Sequence, residues 1–72
     1  GDLTIPDSVT SIGVNAFFGC KGFDKTLTIG NSVASIGNYA FYGCSGFTDL
    51  VYKGEVKPTL GTDVFWGCQI GQ

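Results

Sequence analysis

Apolar and polar positions alternate along this chain in short bursts, never over a long stretch. Leu3-Thr4-Ile5 and Leu27-Thr28-Ile29 read apolar, polar, apolar, the period of a short half-buried strand. Pro6-Asp7 and Gly30-Asn31 follow and turn the chain. Val9 to Ile12 and Val33 to Ile36 form a second extended segment, closed by Gly13 and Gly37. Residues 15–20 and 38–44 lose the alternation and end in Gly-Cys, which predicts one helical turn rather than a helix. The predicted unit is strand, turn, strand, helical turn.

The unit recurs with a fixed period. Phe-X-Gly-Cys occurs at Phe17 to Cys20, Phe41 to Cys44 and Phe65 to Cys68, each copy 24 residues after the last. Such a period marks a stacked-repeat architecture, in which each repeat is a rung that buries its apolar face only against its neighbours. The chain therefore reads as a single solenoid fragment, residues 1–72, with rungs at 3–26, 27–50 and 51–72. Stacking aligns like residues into columns. The predicted core comprises Leu3, Ile5, Val9, Ile12, Phe17, Cys20 and Phe23 in the first rung and Leu27, Ile29, Val33, Ile36, Phe41, Cys44 and Phe47 in the second. Leu50, Tyr52, Val56, Leu60, Phe65 and Cys68 complete it in the third. Each large apolar side chain contributes roughly 1.5–3 kcal/mol when buried, so only a column shared between rungs offsets the entropy of ordering them.

The third rung breaks register. A strict shift would put Lys53 beneath Ile29 and Lys57 beneath Val33, two unpaired cations in a core. Deleting one residue before Leu50 aligns Leu50, Tyr52 and Val56 with Leu27, Ile29 and Val33. One extra residue near Pro58 restores the match at Leu60, Gly61, Val64, Phe65 and Cys68, and leaves both lysines in solvent. Pro58, without an N–H, suits a bulge or a sheet edge.

Leu3-Thr-Ile-Pro-Asp-Ser-Val-Thr-Ser-Ile-Gly, followed by Ala-Phe-X-Gly-Cys and Gly-Phe, resembles the BspA-like, Treponema-pallidum-type leucine-rich repeats, and the match runs through the first two copies. Val51 to Phe65 looks like the variant repeat that often closes such arrays, although Cys68 completes the rung. The resemblance implies a right-handed leucine-rich-repeat solenoid with short parallel strands. It also implies a cell-surface or secreted location in bacteria or some protists, and a role in adhesion to host proteins or other cells. The phase of the repeats and the start at Gly1 further suggest an excerpt from a longer array.

Charge narrows the partners. The net charge is −2, and Lys21, Lys25, Lys53 and Lys57 are the only cations, so no basic stripe is available for nucleic acid. No run of 18 apolar residues is present, which argues against membrane insertion. The chain has no His, and its cysteines, Cys20, Cys44 and Cys68, include no Cys-X-X-Cys pair. They read as a buried reduced ladder, with one disulfide or a metal site as the competing readings; no cofactor is expected. Nothing supplies a base for a nucleophile, so no catalytic residue is assigned and the chain reads as non-enzymatic.

Phe18, Tyr42 and Trp66 form a column one residue beyond the core phenylalanines. This row either forms a contact ridge for a protein or glycan or packs structurally against the neighbouring rung. The acids Asp2, Asp7, Asp24, Asp49, Glu55 and Asp63 fit no calcium loop, and Asp49 is expected to pair with Lys25 in the adjacent rung. Two functions follow: a protein-interaction or adhesion module, or a structural spacer whose binding domain lies elsewhere in a longer protein. The apolar end rungs predict self-association.

Overall fold

The structure is a computed structural model describing residues 1–69. Six short strands run in chain order as β1 (Leu3–Ile5), β2 (Ser11–Ile12), β3 (Thr26–Ile29), β4 (Ser35–Ile36), β5 (Asp49–Tyr52) and β6 (Thr59–Leu60). They form two parallel three-stranded sheets, ordered β1-β3-β5 and β2-β4-β6. Each sheet takes one strand from each successive copy of the repeat. Leu3 pairs with Leu27 and Ile5 with Ile29, so like side chains stack. On the other side Ser11 and Ile12 pair with Ser35 and Ile36, and these with Thr59 and Leu60.

The slip inferred for the third copy is present. Leu27 lies against Leu50 and Ile29 against Tyr52, and the offset returns to the full period by Ile36 and Leu60. Lys53 and Lys57 are both exposed. The extra residue, however, sits differently from the expected place. Val56, assigned to the column under Val33, is 85% exposed, and Pro58 is buried instead. A proline serves there because its ring fills apolar space and its missing N–H leaves no donor to satisfy. Leu60, also assigned to the core, is 45% exposed, since among the described residues no rung covers its outer side.

Among the described residues there is no helix, which corrects the expected helical turn. Residues 14–19, 38–43 and 62–67 are runs of reverse turns whose amides divide their hydrogen bonds between two tasks. The N–H groups of Ala16, Phe18 and Cys20 donate within the rung to the carbonyls of Gly13, Asn15 and Phe17. Those of Asn15, Phe17 and Gly19 donate across to Asn38, Ala40 and Tyr42. The second copy repeats the pattern, with Tyr39, Phe41 and Gly43 donating to Thr62, Val64 and Trp66. Every second amide thus serves the neighbouring rung, and an α-helix cannot form because it would claim them all. Positive φ at Asn15 (59°), Tyr39 (59°) and Asp63 (50°), and again at Gly19, Gly43 and Gly67, turns alternate peptides outward and makes this possible.

The core follows the columns. Leu27, Phe41, Cys44 and Phe47 of the middle copy are 0% exposed, and Ile29 and Ile36 nearly so. Their first-copy counterparts Leu3, Phe17, Cys20 and Phe23 are only half-buried, as is Val9 above buried Val33. Leu50, Tyr52 and Phe65 in the third copy are likewise half-buried. Ala40 and Val64, which were not assigned to the core, are fully part of it. Phe17, Phe41 and Phe65 stack face to face with centroids 5.1 and 5.7 Å apart, and Phe23 stacks on Phe47 at 5.2 Å.

Side chains join the rungs at the corners. Asp2, Asp7 and Asn38 each accept, through Oδ1, a backbone N–H one repeat further on, from Thr26, Asn31 and Thr62, at 2.9 Å in every case. Lys53 donates to the second Asp7 oxygen at 3.2 Å, and the N-terminal ammonium to Asp24 at 2.7 Å. These are the two ion pairs among the described residues. The expected Asp49–Lys25 pair is not formed. The slip sets Asp49 against Thr26, and its carboxylate accepts the Thr48 hydroxyl.

Candidate functional site

The turn corner places Phe18, Tyr42 and Trp66 in one row outside the core. Each follows a core phenylalanine, and the positive-φ residue two positions before that phenylalanine swings the next ring to the opposite side of the backbone. Phe18 and Tyr42 lie 4.9 Å apart with planes within 4°, and Tyr42 and Trp66 4.7 Å apart within 12°. Phe18 is 53% exposed and Trp66 58%. The column is therefore both packed and presented: rings stack across rungs while their edges face solvent.

Two further residues widen the ridge. Tyr39 meets Tyr42 edge-on at 5.7 Å and 76°, and Val14 stands 62% exposed on the same corner. Neither was singled out from the sequence. For Tyr39 a signal existed, since it fills the positive-φ place taken by Asn15 and Asp63 in the other copies. Asn and Asp tolerate that conformation, whereas a bulky aromatic is uncommon there.

The three cysteines are free thiols aligned in another column. Cys44 Sγ donates to the Phe17 carbonyl and Cys68 Sγ to the Phe41 carbonyl, each at 3.0 Å. These carbonyls also accept the backbone N–H groups of Cys20 and Cys44. The Cys44 and Cys68 thiols thus bridge consecutive rungs. Burial pushes the Cys44 thiol up to about 11 from an ordinary 9.0 and raises Cys68 in the same direction, so both stay protonated at neutral pH and are poor nucleophiles. On the opposite edge Lys57 Nζ lies 5.6 Å from the centroid of Tyr52, a contact worth about 0.5–1 kcal/mol at an exposed site.

Two parallel sheets, like-on-like columns and a turn ladder define a stacked-repeat protein of the leucine-rich type. The family described as BspA type leucine-rich repeat region (6 copies) matches residues 1–72, and the chain belongs to that family. No curated protein and no solved structure matches the chain.

Proposed function

We propose that this chain is a non-enzymatic interaction module that binds a protein ligand through the ridge of Phe18, Tyr42 and Trp66, with Tyr39 and Val14 at its flank. The observation that carries this reading is the concentration of exposed side chains on one corner, Val14, Phe18, Tyr39 and Trp66, with half-buried Tyr42 stacked between Phe18 and Trp66 and met edge-on by Tyr39. Prestacked rings lose little freedom on binding, which is why aromatic anchors dominate contact energies. Tyr39 supports the same reading. A strained backbone site occupied by the wrong residue type for local structure points to selection for the side chain itself.

A protein is favoured over a glycan by ring orientation. Sugars stack on aromatic faces, but both faces of Tyr42 and one face each of Phe18 and Trp66 are covered by neighbouring rings, so most of the ridge offers edges. Ring edges carry the positive end of the aromatic quadrupole and suit carbonyl and carboxylate groups of a polypeptide. Membership of the BspA-type family supports reading the setting as a cell-surface or secreted adhesion protein and the stack as a right-handed solenoid.

The test is binding of the chain to a panel of extracellular-matrix and cell-surface proteins, repeated with Phe18, Tyr42 and Trp66 changed together to Ser. Loss of an anchor cluster of this kind costs about 2 kcal/mol or more, roughly a thirtyfold weakening. Unchanged binding by a folded triple variant removes the ridge from the function. No binding by this chain, where a longer protein containing it binds, assigns it to the spacer role.

A further inference from the structure

Tyr39 differs from the other rings of the corner in what it turns outward. Phe18, Tyr42 and Trp66 are stacked at 4.9 and 4.7 Å, so both faces of Tyr42 are covered and it can meet Tyr39 only with its edge. The planes of Tyr39 and Tyr42 cross at 76° with centroids 5.7 Å apart, an edge-to-face contact in which the edge is Tyr42's and the face Tyr39's. The second face of Tyr39 points away from the stack. Tyr39 belongs to the middle rung and is 36% exposed, and among the described residues no further ring covers it.

The backbone brings a carboxylate beside that ring. The Tyr39 N–H donates to the Thr62 carbonyl and the Phe41 N–H to the Val64 carbonyl, which sets Tyr39 alongside Asp63 of the next rung. Both residues have positive φ, 59° and 50°, so their side chains leave the backbone in the same direction. A ring plane that crosses the stacked planes at 76° runs along the column, toward the rungs where Asn15 and Asp63 hold the equivalent places. Asp63 is exposed, and among the described residues its carboxylate makes no hydrogen bond and no ion pair. It is also the only charged residue in the turn runs 14–19, 38–43 and 62–67, with all four lysines outside them. The corner thus sets a carboxylate beside the negative face of an aromatic quadrupole and carries no cation of its own. It lies on the flank of the stack, so added rungs would lengthen it without covering it.

We propose that Tyr39 and Asp63 receive one arginine side chain of the protein ligand, its guanidinium lying on the outer face of Tyr39 and donating to the Asp63 carboxylate. This rests on the ridge reading above and names one partner group within it. A guanidinium is planar, so it stacks on a ring while its fork of N–H donors meets a carboxylate, whereas an ammonium is a point charge that serves the two together less well. The chain already makes a contact of this kind, between Lys57 and the ring of Tyr52. An arginine contact also accounts for a tyrosine at a positive-φ place that Asn15 and Asp63 fill with less strain in the other copies. Along the ridge the ring edges take acceptors, and on this flank a face and a carboxylate take a cation. Two chemistries of opposite sign, set side by side, fix the direction in which a ligand lies.

Titration with N-acetyl-arginine amide at constant ionic strength, followed by NMR, tests this. N-acetyl-citrulline amide, the uncharged isostere, N-acetyl-lysine amide and methyl glucoside are the comparisons. The arginine probe is expected to move the Tyr39 ring and Asp63 amide resonances and to bind roughly tenfold more tightly than the citrulline probe, with lysine between them and the sugar inert. Tyr39→Asn and Asp63→Asn each install the residue that the first copy holds at this positive-φ place, so both are expected to fold. Each should lower arginine binding to the citrulline level. The titration contains no protein ligand, so its failure is distinct from a failure of the ridge, which the joint Phe18, Tyr42 and Trp66 variant reads in the binding panel. Equal binding of arginine and citrulline, a lysine or sugar probe held more tightly than arginine, shifts confined to other residues, or undiminished binding by either variant overturns the proposal.

Discussion

Replacing Gly46 and Gly22 separately by Ala probes the stacking directly, because the two occupy the same place in successive rungs. Neither is among the residues with positive φ, so no backbone strain separates them. At Gly46 the new methyl would overlap the Phe23 carbonyl oxygen and lie 2.9 Å from its carbon. The obstacle is backbone held on both sides, by the Asp24 N–H bonded to Gly1 and the Thr48 N–H bonded to Lys25. It cannot rotate aside as a side chain could. Overpacking of this kind costs about 1–3 kcal/mol, and the immobile partner places Gly46→Ala at the upper end. Gly22→Ala meets nothing, and restricting the unfolded chain stabilises it by up to about 1 kcal/mol. The pair should therefore differ by about 3–4 kcal/mol, a large share of the stability of a domain this small, roughly 4–10 kcal/mol. Urea unfolding at low micromolar concentration, followed by Trp66 fluorescence, reads the difference as a midpoint separation of about 3 M. Equal midpoints would mean that residues 20–25 do not lie over residues 44–48, and the stacking argument would fail.

Phe41→Ala should destabilise by about 3–5 kcal/mol, and Phe17→Ala by distinctly less, because the first ring is covered on one face only; chemical denaturation compares them. Raising the pH should destabilise the fold. The Cys44 thiol titrates at about 11 in the folded chain against an ordinary 9.0, so its contribution is complete below the ordinary value and is lost as the pH climbs through the folded one. Cys44→Ala should flatten that alkaline limb of a melting-temperature profile. Acid acts with the opposite sign. The Asn31 amide, then Lys53, holds the Asp7 carboxyl below 3.8, so its stabilisation is full above that value and disappears as the pH falls through the lowered one. Asp7→Asn should make the acid limb shallower.

Most of the fold was legible because a repeat states its own register. Leu3, Leu27 and Leu50 fall in one column by spacing alone, and the slip in the third rung was forced by the cost of burying Lys53 and Lys57. What followed the slip was less determined. One extra residue between Tyr52 and Thr59 can be placed on either side of Val56, and side-chain pattern did not reveal that Pro58 would turn inward. The helical turn was misread for a different reason. Ala-Phe-X-Gly-Cys has the composition of a short helix, and the bonds that forbid one lie between rungs, where a single copy carries no trace of them. Asn15 and Asp63 at equivalent places were a hint of positive φ that could have been used. Of the candidate site, the column Phe18, Tyr42 and Trp66 was readable from the period, but Tyr39 comes from a different column and meets Tyr42 only in three dimensions.

The division of amides at the turn corner has a consequence for how such chains can vary in length. Inserting or deleting a single residue between Gly13 and Cys20 would exchange the two sets of donors downstream, turning every inward N–H outward and the reverse. The opposite corner, between β5 and β6, has no such alternation, and it is where this chain carries its additional residue. Length variation in repeats of this kind is therefore expected to accumulate on one side of the stack, leaving the aromatic corner constant in spacing whatever happens across from it.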